Sequence, residues 1–440
     1  MAFSQRCLKP EYRLQRVLLF CLILMNGSLA SAQSDVRLEQ CRKQARDEFS
    51  GSRQTSLVGQ SAAEQQRLLK KIVRPEVSAY GLAAYLSDVP DPASALAYAF
   101  DFDPVPHERL NAGVFLSQRI YNGGEYKLKE EEIRLNARLE EQKIEENLMY
   151  IENLVDEVFL GIILAEKEIQ IYQKQREVVV ARLKDSKALV QEGKLLKKDE
   201  LQVEMALVEL ESQIGALEAG ELKLRNMLAE LTGKEIKSDD RLILPVTDEI
   251  EERPDDPAFG QIDIQAQKNQ LATRLSKSSA LPKIQLFGTA GYGKPGFDSF
   301  ENQPDWYGSV GLFATVPISA WRDHALQEKI LLIESDRLAE YRNTLEKKRN
   351  VLEVKYSGEV TRYETLEKQQ TLAVEKKEQI RQQMDVLLKE GEASFTDYLA
   401  ALNDEAIAKV KLEAIAVGKI KEIMKRNRIV VNLSNFSGNE

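Results

Sequence analysis

The stretch 125–192 constrains this chain most: 68 residues contain no proline and one glycine, Gly161. At 1.5 Å rise per residue, a helix of that length is a rod of roughly 100 Å. Apolar residues recur at alternating gaps of four and three, from Ile144, Leu148 and Ile151 through Val155, Val158 and Ile162 to Ile169, Tyr172, Val179, Leu183 and Val190. Only Arg176 and Ser186 interrupt the series. A sustained 3.5-residue period predicts a left-handed supercoil against partner helices. Glu192 and Gly193 end the rod, and a second heptad run follows from Val203 through Leu210 and Ile214 to Leu231.

The plan recurs 198 positions later. Gly113 aligns with Gly311, Ile120 with Ile318, Glu192 and Gly193 with Glu390 and Gly391, Asp199 with Asp397, and Leu201 with Leu399. One offset serving landmarks 80 residues apart means that both halves keep one helix length, the signature of an internal repeat.

At the start, Lys9, Arg13 and Arg16 precede an apolar run, 17–25, and then Ala30, Ser31 and Ala32. This reads as a secretory signal peptide, 1–32, because nine apolar residues are too few to span a bilayer. Cys7 and Cys21 would leave with it, so Cys41 stands alone and no intrachain disulfide is expected. The net charge of −9 argues against a nucleic-acid partner. Charged residues make up 30% and aromatics 7%, with no proline in 107–244 or after Pro317, which fits elongated helices better than globular domains.

Period-two alternation marks four strands: about 72–87, 110–121, 281–293 and 307–319. The last has the cleanest face, with Val310, Leu312, Ala314, Val316 and Ile318 on one side. A first repeat, 33–233, opens with a helix over 35–71 that Asp35 caps, has a weak spot at 51–59, and ends in a long helical hairpin, 125–232. A polar linker, 234–257, separates it from a second repeat, 258–430, whose hairpin is 320–429; the tail 431–440 is polar.

Four strands of this length, each with one apolar face and aromatics near its ends, fit a membrane barrel. Four cannot close one, and open edges in hydrocarbon leave backbone groups unpaired at several kcal/mol each. Strands placed in a membrane must therefore share a barrel between subunits. Local pattern alone fits two soluble hairpins as well.

The order of these features resembles the TolC-type outer-membrane efflux proteins over nearly all of the chain after the signal. The resemblance is carried by Leu281, Pro282, Lys283 and Ile284 opening a strand and by Tyr307 to Leu312 running into Val316, Pro317 and Ile318. It is also carried by Val114 to Gly124 entering a helix through Asn122, Gly123 and Gly124, and by Gly193 and Gly391 followed by Asp199 and Asp397. Arg119 departs from the pattern, standing where Pro317 stands in the second half. The resemblance implies an α+β fold: long α-helical coiled-coil hairpins in two tandem repeats plus four transmembrane β-strands per chain. A homotrimer would build a 12-stranded β-barrel in outer-membrane lipid and an α-helical tunnel in the periplasm of a Gram-negative bacterium. It implies the exit duct of a tripartite efflux or type I secretion system, working with a periplasmic adaptor protein and an inner-membrane pump.

Its hairpin tips would contact the adaptor. Carried over, these are Gly193, Lys194, Leu195 and Leu196, and Gly391, Glu392, Ala393, Ser394 and Phe395. Glu192, Glu390, Glu392 and Asp397 would charge a closed aperture, where threefold repetition concentrates their field.

No enzyme is expected. Gly291, Gly293 and Gly296 match a dinucleotide glycine pattern, but no helix follows as phosphate binding requires. The two histidines, His107 and His324, lack metal-ligand spacing, so neither metal nor cofactor is expected. The rival reading is a soluble periplasmic coiled-coil scaffold or adaptor, which the doubled strand–hairpin unit disfavours.

Overall fold

A computed structural model of the chain describes residues 35–89, 105–246, 256–294, 296, 303–318 and 320–430. The expected signal peptide, the polar tail and the linker segment 247–255 lie outside the described residues. The elements run β1 (Asp35–Arg37), α1 (Leu38–Glu48), α2 (Gly51–Ile72), β2 (Glu76–Tyr85), β3 (Glu108–Tyr121) and α3 (Glu125–Gln191). Then come α4 (Lys197–Thr232), β4 (Arg241–Ile243), α5 (Pro257–Ser279), β5 (Lys283–Lys294), β6 (Asp305–Thr315), α6 (Ala320–Glu390) and α7 (Phe395–Val430). The chain is mostly helix with a smaller share of strand, and it divides into two compact units.

The opening differs from the single helix expected over 35–71. Asp35 is not a cap; it lies in β1, paired in parallel with Arg241 of β4, which itself falls inside the polar linker. Helix breaks at Ser50, whose φ of 54° is left-handed, and resumes at Gly51. The expected weak spot is helical, and its first glycine has a packing role: a Cβ at Gly51 would stand 2.6 Å from the Leu148 side chain. Helix also takes Ile72, so β2 starts only at Glu76. At the other end of the sheet β6 stops at Thr315, short of Pro317, which has no N–H for a ladder.

Strands β2, β3, β5 and β6 form one antiparallel sheet in that order, within the second unit. Its register aligns Tyr80, Gly113, Gly291 and Tyr307 in one row and Ser78, Phe115, Thr289 and Ser309 in the next. Because successive side chains alternate in direction, the other face carries Val77, Leu110, Val114, Leu286, Val310 and Leu312. Among the described residues that apolar face is uncovered: Val310 is 78% exposed and Leu312 67%. Tyr292 packs on Trp306 near one end, ring centroids 5.3 Å apart. The register of β3 on β5 shifts between Arg119 and Tyr121.

Helix α5 joins this sheet to the long helices. Ile264 and Leu271 pack with Leu135 of α3, and Arg274 pairs with Glu131 at 3.0 Å. On its other side the Asn269 amide donates to the Leu331 carbonyl of α6 at 2.8 Å. Ser278 Oγ donates to the Gly123 carbonyl at 2.8 Å, fixing the turn between β3 and α3.

The first unit takes in 155–246 and 373–414, and with them both hairpin turns. Arg225 of α4, 2% exposed, is its polar centre. It donates to the Lys237 carbonyl and the Glu221 carboxylate, each at 2.6 Å, and to Glu166 of α3. A buried charge is tolerated when its donors are matched in this way, and the fork of Arg suits several acceptors. Burial pushes the Glu166 carboxyl upward; Arg225 opposes the shift and Glu221 reinforces it. Arg42 and Asp156 form a second buried pair, with Nε to Oδ1 2.7 Å. Cys41 is free and buried, which pushes its thiol up to about 11.

Candidate functional site

Both helical tips end on the same backbone motif. After α3, the Gly193 amide donates to the Val190 carbonyl at 3.0 Å and the Lys194 amide to the Leu189 carbonyl at 2.9 Å. After α6, Gly391 donates to Leu388 at 3.2 Å and Glu392 to Leu387 at 2.9 Å. These paired bonds satisfy carbonyls left open by the helix end, and they require a left-handed residue at the pivot. Gly193 and Gly391 supply it, with φ of 69° and 79°, at no Cβ cost.

The next helices start differently. Leu196 precedes α4 with extended backbone and no side-chain cap, and it is 70% exposed. Ser394 precedes α7 and forms a reciprocal cap with Asp397. Its amide and hydroxyl both donate to Asp397 Oδ2, at 3.2 and 2.6 Å, and the Asp397 amide donates to Ser394 Oγ at 3.2 Å. This is the capping-box arrangement with aspartate in the role usually taken by glutamate. The Ser394 hydroxyl first, and then its backbone N–H, hold the Asp397 carboxyl below the usual range. Asp397 thus has a helix-start task that its reading as an aperture charge did not include.

Beneath the turns lies an apolar core. Tyr172 and Val179 of α3, Val203 and Leu210 of α4, and Phe395 and Tyr398 of α7 are among its buried members. Leu388 of α6 and Leu195 pack against it. Phe395 is 6% exposed, so its ring faces this core and not the tip surface. Glu192, Gly193, Lys194, Leu196, Glu390, Gly391, Glu392 and Ser394 are exposed, and Ala393 is half-buried. Lys194 Nζ lies 2.7 Å from Glu192 on the same turn.

Two polar ties that the sequence reading did not single out hold the tips together. Thr396 Oγ1 donates to Gln202 Oε1 of α4 at 3.0 Å. Arg182 of α3 pairs with Asp385 of α6, and its guanidinium sits 5.0 Å from the centroid of the Tyr398 ring. Arg182 and Asp385 lie on helices 203 positions apart, and no local pattern marks such a pair. The Ser394–Asp397 cap was legible, as serine followed three residues later by an acid just before an apolar run.

No helix of the described residues is long and apolar enough to cross a membrane. No family model matches the sequence, and no curated protein matches it. Solved structures do. CusC, described in terms of transmembrane channel formation, superposes with a TM-score of 0.69 at 13% identity, covering 89% of this chain and 91% of that one. The outer membrane protein VceC of Vibrio cholerae gives 0.67 at 12% identity, with 88% and 94% covered. The CmeC outer membrane channel of Campylobacter jejuni gives 0.64 at 16% identity, with 88% and 84% covered. Over nearly its whole described length, this chain has the fold of the TolC-type outer-membrane channels.

Proposed function

We propose that the chain is an outer-membrane channel, the passive exit duct of a tripartite efflux or secretion system. The observation that carries the reading is the sheet. Among the described residues one face is apolar and uncovered, and the edge strands β2 and β6 have no further partner strand. In water such a sheet is an aggregation hazard, and in lipid its edges must close. Three copies joined β6 to β2 would give a 12-stranded barrel with no edge and an apolar outer band.

The helices support self-association as well. Leu326, Ile330 and Ile333 of α6 follow the four–three spacing, and each is more than 60% exposed in the single chain. Such a stripe is covered when helices of neighbouring copies pack along it. In this reading the barrel lies in the outer membrane and the helices form a tunnel in the periplasm.

The tips are the gate and the docking point for the adaptor. Gly193, Lys194, Leu195, Leu196, Gly391, Glu392, Ala393 and Ser394 would form the contact surface, and Glu192, Glu390 and Glu392 the charged aperture. Opening needs no chemistry in this chain. Docking shifts the packing of hairpins already held in one of two arrangements, and the pump supplies the energy. The test is extraction: a barrel leaves membranes only with detergent, whereas a soluble scaffold leaves with high salt.

A further inference from the structure

We infer that an aromatic strap lying flat across glycines on the inner face of the sheet sets the width of the pore; this rests on the channel reading above. Tyr80 comes from one edge strand and Tyr307 from the other, yet their hydroxyl oxygens are 2.7 Å apart. The Tyr80 hydroxyl also lies 3.0 Å from Thr289 Oγ1 of β5. Three strand spacings, about 14 Å, separate the two edges. The rings bridge that distance because each is laid along the sheet and does not stand up from it.

Glycine makes this possible. A Cβ at Gly291 would stand 2.6 Å from Tyr307 Cζ, and one at Gly113 3.1 Å from Tyr80 Oη. Phe287 repeats the arrangement two rows away: a Cβ at Gly311 would stand 2.7 Å from its Cζ. Phe287 is also stacked on Phe115, centroids 6.5 Å apart and planes 16° apart. The Tyr80 and Ser78 rows of this face carry no charged residue. Since the opposite face is the apolar, lipid-directed one, these rings line the lumen. Flat rings leave the lumen wide, and rings lifted off their glycines narrow it. The Phe287 row carries one charge, Glu76 at its β2 end, and moving the ring neither adds nor removes it, so width is the property the rings control.

Gly311→Ala is the cleanest probe, because the atoms its Cβ would crowd all belong to the Phe287 ring. At Gly291 the Cβ would also meet the Ala112 carbonyl oxygen at 2.8 Å, forcing the backbone to move. The measurement is single-channel current of the full-length protein in planar bilayers, with graded polyethylene glycols added on the barrel side only. Gly311→Ala should lower the size of polymer that enters, with no change in cation-to-anion selectivity. Adding Phe287→Ala to it should restore the wild-type cutoff, a rescue that general damage to the sheet would not give. Replacing both Tyr80 and Tyr307 by Phe cuts the strap without changing volume. It should raise open-channel noise and lower the cutoff, and it stands as an independent test where Gly311→Ala does not insert. An unchanged cutoff in both variants overturns the width assignment. A wild type that salt alone releases from membranes overturns the channel reading itself.

Discussion

Ser394 and Asp397 cap each other: the serine hydroxyl donates to the carboxylate at 2.6 Å, and the Asp397 amide donates back to the hydroxyl at 3.2 Å. The corresponding start of α4 has Leu196 and no side-chain cap. The two tips therefore share a helix-end turn but differ in how firmly the return helix begins. Ser394→Ala should speed amide exchange at the first turn of α7 and leave the start of α4 unchanged, as read by hydrogen–deuterium exchange. Ser394→Thr should keep most of the protection.

The same cap has a pH signature. The Asp397 carboxyl is held below its ordinary value of 3.8, so its contribution is fully present above that value. It is lost as pH falls through the depressed folded value, because the folded state then binds the proton less readily than the unfolded one. Exchange at the start of α7 should rise at the acidic end in the wild type. In Asp397→Asn this acid-dependent rise should disappear.

Gly193 and Gly391 are required by backbone geometry alone, since a Cβ at either would meet nothing within 4 Å. Alanine at each should cost about 1 kcal/mol through the left-handed conformation. Thermal unfolding in detergent measures it. A loss several times larger at one tip would show that the tip is packed against a neighbouring chain.

The Arg182–Asp385 pair is partly buried, its side chains 18% and 19% exposed. Asp385→Asn should destabilise the tip region by about 2 kcal/mol, because a charged hydrogen bond is lost and Arg182 keeps its burial. Asp385 also pairs with Lys389 at 2.7 Å, so a double-mutant cycle with Arg182→Met is needed to isolate the term. A coupling near zero would mean that Asp185, 3.3 Å from the guanidinium, and the Tyr398 ring hold Arg182 in place without Asp385.

On the sheet, a charge should be tolerated on one face and not on the other. Val310→Lys puts a cation on the apolar face and should cost about 2–4 kcal/mol of barrel stability near the bilayer centre. Ser309→Lys, one residue away and pointing oppositely, should assemble normally. Equal behaviour of the two variants, read as detergent-resistant assembly, would contradict the lipid-facing assignment.

The mixture of long helices and period-two strands was legible because each rests on a local rule, the 3.5-residue spacing through Val155 and Val179 or the alternation from Val310 to Ala314. Element ends were less legible. Ile72 is apolar and fits either period, so only its place in α2 decides it. The β1–β4 pair, Asp35 with Arg241, joins segments about 200 positions apart and left no trace in local pattern. At the tips, glycine pivots were readable from residue type. The burial of Phe395 was not, because it depends on Tyr172 and Val203 arriving from other helices. The tyrosine strap escaped notice for the same reason: a tyrosine and a glycine mean little until register sets them side by side.

The most direct test is the mass of the detergent-extracted particle, by light scattering corrected for bound detergent. Three chains of 49.9 kDa or slightly less each, if the leader is removed, are what a shared barrel requires. A monomer or dimer that high salt alone releases from membranes would contradict the channel account and leave a soluble coiled-coil scaffold in its place.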